Sequence, residues 1–149
     1  MPEELGSVFA DALMEVVSKI SSLSIDVIST AQDAGFREII SVMSLNSKRS
    51  GMLFLSAGMG DMRVLCSYMT GSPVDAVTKE DMWDALSELL NMTAGNAKVR
   101  LRDTEHMFAL SSPFVISGKD MSIISKKRSN VISRHLGNGE ISIKLKVVY

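Results

Sequence analysis

The sequence predicts an α+β fold: a mainly antiparallel sheet with long helices packed on one face. Two observations carry this prediction. Two long stretches place apolar residues at helical spacing, and the intervening and final segments read as strands joined mainly by hairpins. With 149 residues, 46% of them hydrophobic, the chain reads as a single domain over 1–149 that can bury a real core.

The elements follow in order. Leu5, Phe9, Leu13, Val16, Val17 and Ile20 recur at helical spacing, so an amphipathic helix is expected over about 3–21. Phe36 to Leu45 is β-branched and apolar, and Asn46 to Ser50 reads as the turn into a strand from Gly51 to Ala57. Gly60 to Met69 reads as a short helix stopped by Gly71 and Pro73. Thr78 with Asp81 three residues on resembles a capping box, which starts a second long helix near Lys79. Val131 to Leu136, the turn Gly137-Asn138-Gly139, and Glu140 to Val148 form a second hairpin, with Ile141, Ile143, Leu145 and Val147 on one face.

Charge and composition narrow the function. A net charge of -1 without a polybasic tract argues against nucleic acid or a membrane surface as the main partner. Lys126-Lys127-Arg128 reads as a solvated loop. The single cysteine, Cys66, cannot form an internal disulfide and reads as a buried small hydrophobe, with no nearby His to activate it. His106 and His135 are too few and too far apart in sequence to suggest a metal site, and Gly58-x-Gly60 lacks the remainder of a phosphate loop. The 11 methionines are read as core packing. With no signal peptide and no bilayer-length apolar run, a cytoplasmic protein is expected.

The second long helix carries the candidate site. Asp81, Asp84, Ser87, Glu88 and Asn91 fall within about a third of the helix circumference at roughly 100° per residue. From Met82 to Ala94 the rest is apolar apart from Thr93. A solvated amphipathic face would look the same at this level, but neither Lys nor Arg occurs from Asp81 to Ala97, so the usual i,i+4 ion pairs are missing. Gly95 either ends the helix as a C-cap or extends the stripe, where its missing side chain lets a partner backbone approach Glu88 and Asn91.

The run Asp84-x3-Glu88-x2-Asn91, followed by Gly95-Asn96-Ala97 and later by Pro113, resembles the active-site signature of the CheC/CheX/FliY chemotaxis phosphatases. An N-terminal helix, the Gly51 to Leu55 strand, a short helix ending in Tyr68-Met69-Thr70-Gly71 and the late strands are similar in order. With one full motif at this length, the chain resembles the CheX type. The resemblance implies a CheC/CheX-like fold and a hydrolase that removes phosphate from the phospho-aspartate of CheY-like response-regulator receiver domains. Asn91 would orient the attacking water and Glu88 would pair with the receiver lysine, while Asp84 and Gly95 would serve partner binding. Pro113 would shape the backbone. No cofactor is implied for this chain, since the Mg²⁺ is expected in the receiver.

Asp11-x3-Glu15-x2-Ser18 repeats the motif spacing. Chance is the favoured reading for so short a pattern; the resemblance to CheC-like proteins, built as a pseudo-twofold duplication, offers Glu15 as the relic of a second site. Serine cannot present an amide oxygen and an amide nitrogen together, so this first copy is expected to be inactive. By analogy with CheX a homodimer joined through the sheets is expected, with Glu140 to Val148 as a suitable edge. The stretch Gly118 to Arg134 is polar and has no counterpart in the signature. The competing reading is a non-catalytic receiver-binding or flagellar-switch-like scaffold module.

Overall fold

The computed structural model describes residues 2–32, 35–48, 50–124 and 130–149. Lys126-Lys127-Arg128 and Arg49 lie outside the described residues. The chain runs α1 (Pro2–Ser21), β1 (Asp26–Ser29), β2 (Ile39–Asn46), β3 (Gly51–Ala57), α2 (Met59–Thr70), a 3-10 turn at Val74–Ala76, α3 (Lys79–Arg100), β4 (Ala109–Leu110), β5 (Phe114–Ser117), β6 (Val131–Gly137) and β7 (Ser142–Val148). The strands form one sheet in the order β1-β6-β7-β3-β2-β4, with β5 also on β2, and every pairing is antiparallel.

Strand alternation sends one set of side chains to the helices. Leu53, Leu55 and Ala57 of β3 and Ile143, Leu145 and Val147 of β7 join Phe9, Leu13 and Val17 of α1 and Leu86, Leu89 and Leu90 of α3 in the main core. The opposite face is not bare. Ile40, Val42 and Phe54 form a second small cluster there, covered by Phe36, Met121 and Ile123. Burial on both faces explains why β2 reads as a nearly continuous apolar run rather than an alternating one. Part of the polar stretch after Gly118 is that cover, pinned where Phe36 N–H donates to the Met121 carbonyl at 2.9 Å.

One expectation is corrected. The Glu140 to Val148 segment is not an edge, because β7 pairs with β3 on one side and β6 on the other. Its one-sided apolar pattern reflects packing on the helices, which an interior strand shares with an edge strand. The edges are instead short: β1 at one end, β4 and β5 at the other.

The turn between β6 and β7 uses its asparagine directly. Asn138 Oδ1 accepts from the Glu140 and Ile141 amides at 2.9 and 3.0 Å, and Gly139 takes φ 87°, so strand pairing resumes only at Ser142.

Candidate functional site

Helix α3 starts where its cap residues require. Thr78 Oγ1 accepts from the Asp81 amide at 3.1 Å, and Asp81 Oδ2 accepts from the Thr78 amide at 2.9 Å, a reciprocal pair of a kind that contributes about 1 kcal/mol. The helix then runs without a break to Arg100, capped by Leu101. Gly95 is therefore interior, and the C-cap alternative is excluded. A Cβ built on Gly95 meets nothing within 4 Å, so its lack of a side chain answers no crowding inside this chain.

The two faces of α3 separate cleanly. Met82, Ala85, Leu86, Leu89, Leu90, Thr93, Ala94 and Ala97 are buried, whereas Asp84, Glu88 and Asn91 are exposed. Thr93, the polar exception, donates its hydroxyl to the Leu89 carbonyl at 2.7 Å and so enters the core satisfied. Ser41 of β2 likewise donates to the Leu86 carbonyl at 3.2 Å, tying the helix to the sheet. Among the described residues, no hydrogen bond or ion pair engages the side chains of Asp84, Glu88 or Asn91. The structure thus brings the four predicted positions, Asp84, Glu88, Asn91 and Gly95, onto one open stripe of a rigid element. Asn91 follows Glu88 by about 4.5 Å along the axis.

The stripe lies on the exposed outer face of α3. A cavity of about 430 Å³ exists elsewhere, lined by Leu5, Phe9, Lys48, His106, Phe108 and Tyr149 among others, and none of the motif residues borders it. Pro113 stands just before β5, in a segment fastened by Ser111, whose hydroxyl donates to the Ser44 carbonyl at 3.0 Å and accepts from the Ser44 amide at 2.9 Å. Cys66 is buried on α2, and burial raises its thiol pKa, with Asp81 and Asp84 adding to the effect. His106 stands beside Glu105 at 3.5 Å and His135 lies on β6. Among the described residues, no three His, Cys, Asp or Glu side chains gather as metal ligands, and no helix is long and apolar enough to cross a membrane.

The first copy of the motif has a different fate. Glu15 accepts from Lys19 Nζ at 2.9 Å within α1, and from Asn96 Nδ2 at 3.1 Å and the Arg100 guanidinium across the helix interface. Asn96 Oδ1 accepts in turn from Arg100 Nε at 2.7 Å. The Lys19 hydrogen bond first, then Asn96 and Arg100, hold the Glu15 carboxyl down to about 2 from its ordinary 4.5. Sequence reasoning found Glu15 but missed its partners; the available signal was Arg100 four residues after Asn96, on one helix face.

A pH dependence follows. A carboxylate depressed in the fold contributes stability that is complete above 4.5 and is lost as pH falls toward 2. The urea midpoint of the native chain should exceed that of Glu15→Gln by a constant margin above about pH 5, and the margin should close below pH 4.5. A margin independent of pH down to 2 would show that the ionised form is not what the bridge uses.

Comparison with known proteins decides the family. The model for the chemotaxis phosphatase CheX matches residues 39–136, more than half of the chain and all of α3. The chain belongs to the CheX family. A CheX chemotaxis protein from Vibrio vulnificus is 21% identical, with a TM-score of 0.81 and 97% of each chain covered. The CheX from Desulfovibrio desulfuricans is 19% identical, with a TM-score of 0.82 and 97% of each chain covered. A CheX from Borrelia burgdorferi, solved in complex with CheY, BeF3 and Mg²⁺, is 18% identical, with a TM-score of 0.76 over 95% of this chain and 96% of that one. At these identities the structural likeness is one of fold, and it matches the three helices and the antiparallel sheet described above. No curated protein matches the sequence.

Proposed function

We propose that this chain hydrolyses the phospho-aspartate of a CheY-like receiver domain. The observation that carries the reading is the exposed pair Glu88 and Asn91, without partners among the described residues, on a capped helix fixed to the sheet. CheX family membership and the Borrelia burgdorferi CheX–CheY complex support the choice of partner.

An aspartyl phosphate held in a receiver domain already has charge stabilisation around it, from the receiver's Mg²⁺ and lysine. What this chain adds is an oriented water. The Asn91 carboxamide accepts a hydrogen bond from that water and donates another, fixing it for in-line attack without a titratable base. The water oxygen bonds to phosphorus as the bond to the aspartyl oxygen breaks, releasing phosphate and the carboxylate. Glu88 pairs with the receiver lysine and seats the helix. Asp84 continues the contact toward the helix start, and Gly95 leaves room for the receiver backbone.

The reading is tested by phosphate release from an Mg²⁺-phosphorylated receiver domain of the same organism. Acceleration by this chain above intrinsic decay supports it; unchanged decay against every receiver tried removes it and leaves the docking-module reading.

The chain also pairs with itself in this proposal, through the β5 edge rather than β7. Phe114 and Ile116 lie on this edge strand, on the same sheet face as Val42 and Ile40, and stay 53% and 41% exposed. Sedimentation should give twice the chain mass of 16.2 kDa, and Ile116→Lys should give the single mass. A native monomer at assay concentrations removes the self-association.

A further inference from the structure

The inference drawn here concerns the first, degenerate motif copy and rests on the receiver-docking reading above. Glu15 sits on a helix that cannot easily move: its neighbours Leu13, Val16 and Val17 are buried in the core. Its carboxylate reaches across to α3 and accepts from Asn96 Nδ2 and from the Arg100 guanidinium, and those two side chains also bond each other. All of the α3 residues in this bridge lie after Gly95.

That placement has a mechanical meaning. Gly95 is the weakest link in α3, because a glycine inside a helix has the greatest backbone freedom to recover on unwinding. It is also the point where open space replaces a side chain. Beyond it the polar stripe continues into Val99, which is 62% exposed and lies one turn on from Gly95. A receiver laid along Asp84, Glu88, Asn91 and Gly95 meets Val99 next. Fraying at Gly95 removes that last part of the contact while leaving Glu88 and Asn91 in a formed helix.

We infer that Glu15 is a positioning residue for the docking helix: through Asn96 and Arg100 it keeps the end of α3 helical across Gly95, and so sets affinity for the receiver rather than the chemical step. The carboxylate of a copy that lacks the asparagine is thereby put to use by the copy that keeps it. Lys19, on the same helix as Glu15, occupies the other carboxylate oxygen and orients it.

The test compares the native chain with Glu15→Ala and Glu15→Gln by amide exchange and by phosphate-release kinetics. Glu15→Ala should speed exchange of the amides of residues 96–101 by about tenfold relative to residues 84–91. It should raise KM for the phosphorylated receiver by about fivefold, and kcat should stay within about twofold. Glu15→Gln keeps one oxygen able to accept from Asn96 and Arg100 but loses the charge and the acceptor for Lys19, so it should fall between Glu15→Ala and the native chain in both effects. A fall in Tm with unchanged exchange at 96–101, or with unchanged KM, would reduce Glu15 to ordinary stabilisation and overturn the inference. If the native chain releases no phosphate, the phosphatase reading fails by itself, and Kd for the BeF3-loaded receiver takes the place of KM. A Kd that Glu15→Ala leaves unchanged, or no binding by the native chain, then overturns the positioning role.

Discussion

Asn91→Ala should lower receiver phosphate release by about 100-fold while leaving Tm and receiver affinity close to those of the native chain. The side chain is exposed and makes no hydrogen bond or ion pair among the described residues, so its removal strands no hydrogen-bond partner there. Under the proposed function, what is lost is a group that holds water in line with the breaking bond, and such positioning errors fall on kcat. Glu88→Ala supplies the contrast. Its proposed role is an ion pair with the receiver lysine, so its main effect should be a raised KM. Steady-state kinetics on both variants, with Tm measured alongside, decide the roles. Equal losses in KM alone for both would make Asn91 a second docking contact and remove the water-orienting role.

Gly95→Leu should move stability and activity in opposite directions. The site is helical, φ is not positive, and a Cβ there meets open space, so the substitution relieves a propensity deficit of about 0.8 kcal/mol. Tm should rise by about 2–4 °C for a chain of this size. The same side chain stands on the stripe beside Glu88 and Asn91 and holds the receiver backbone away, and a displacement of about 1 Å at the reacting atoms costs about 100-fold in rate. A more stable protein with nearly lost activity is the expected result, read by calorimetry and phosphate release. Full activity in Gly95→Leu would place the receiver elsewhere.

Much of this fold was legible because local chemistry and global packing agree over long segments. The start of α3 is set by two side chains and two amides within four residues, all visible in sequence. The β2–β3 pair and the turn at Asn138 were legible for the same reason. β1, β4 and β5 were not. β1 is four residues long, largely exposed and interrupted by a register shift, so it has no periodicity to read. β4 is two residues long. The place of β7 in the sheet also escaped, since alternation reports which face is buried and is silent on how many neighbours a strand has.

The candidate site shows the same division. Glu88, Asn91 and Gly95 share a face because helix geometry alone puts them there. The Glu15 bridge joins residues some eighty positions apart, and no local rule pairs them. Spacing marked Glu15 only as an echo of Glu88, whereas the packing of α1 on α3 reveals that its oxygens are already taken.

The exposure of the stripe has a consequence for selectivity. Asp84, Glu88 and Asn91 line no part of the cavity of about 430 Å³, so under the proposed function the receiver, and not a pocket of this chain, encloses the acyl phosphate. Under that proposal, discrimination among phosphorylated substrates is carried by surface matching between two macromolecules.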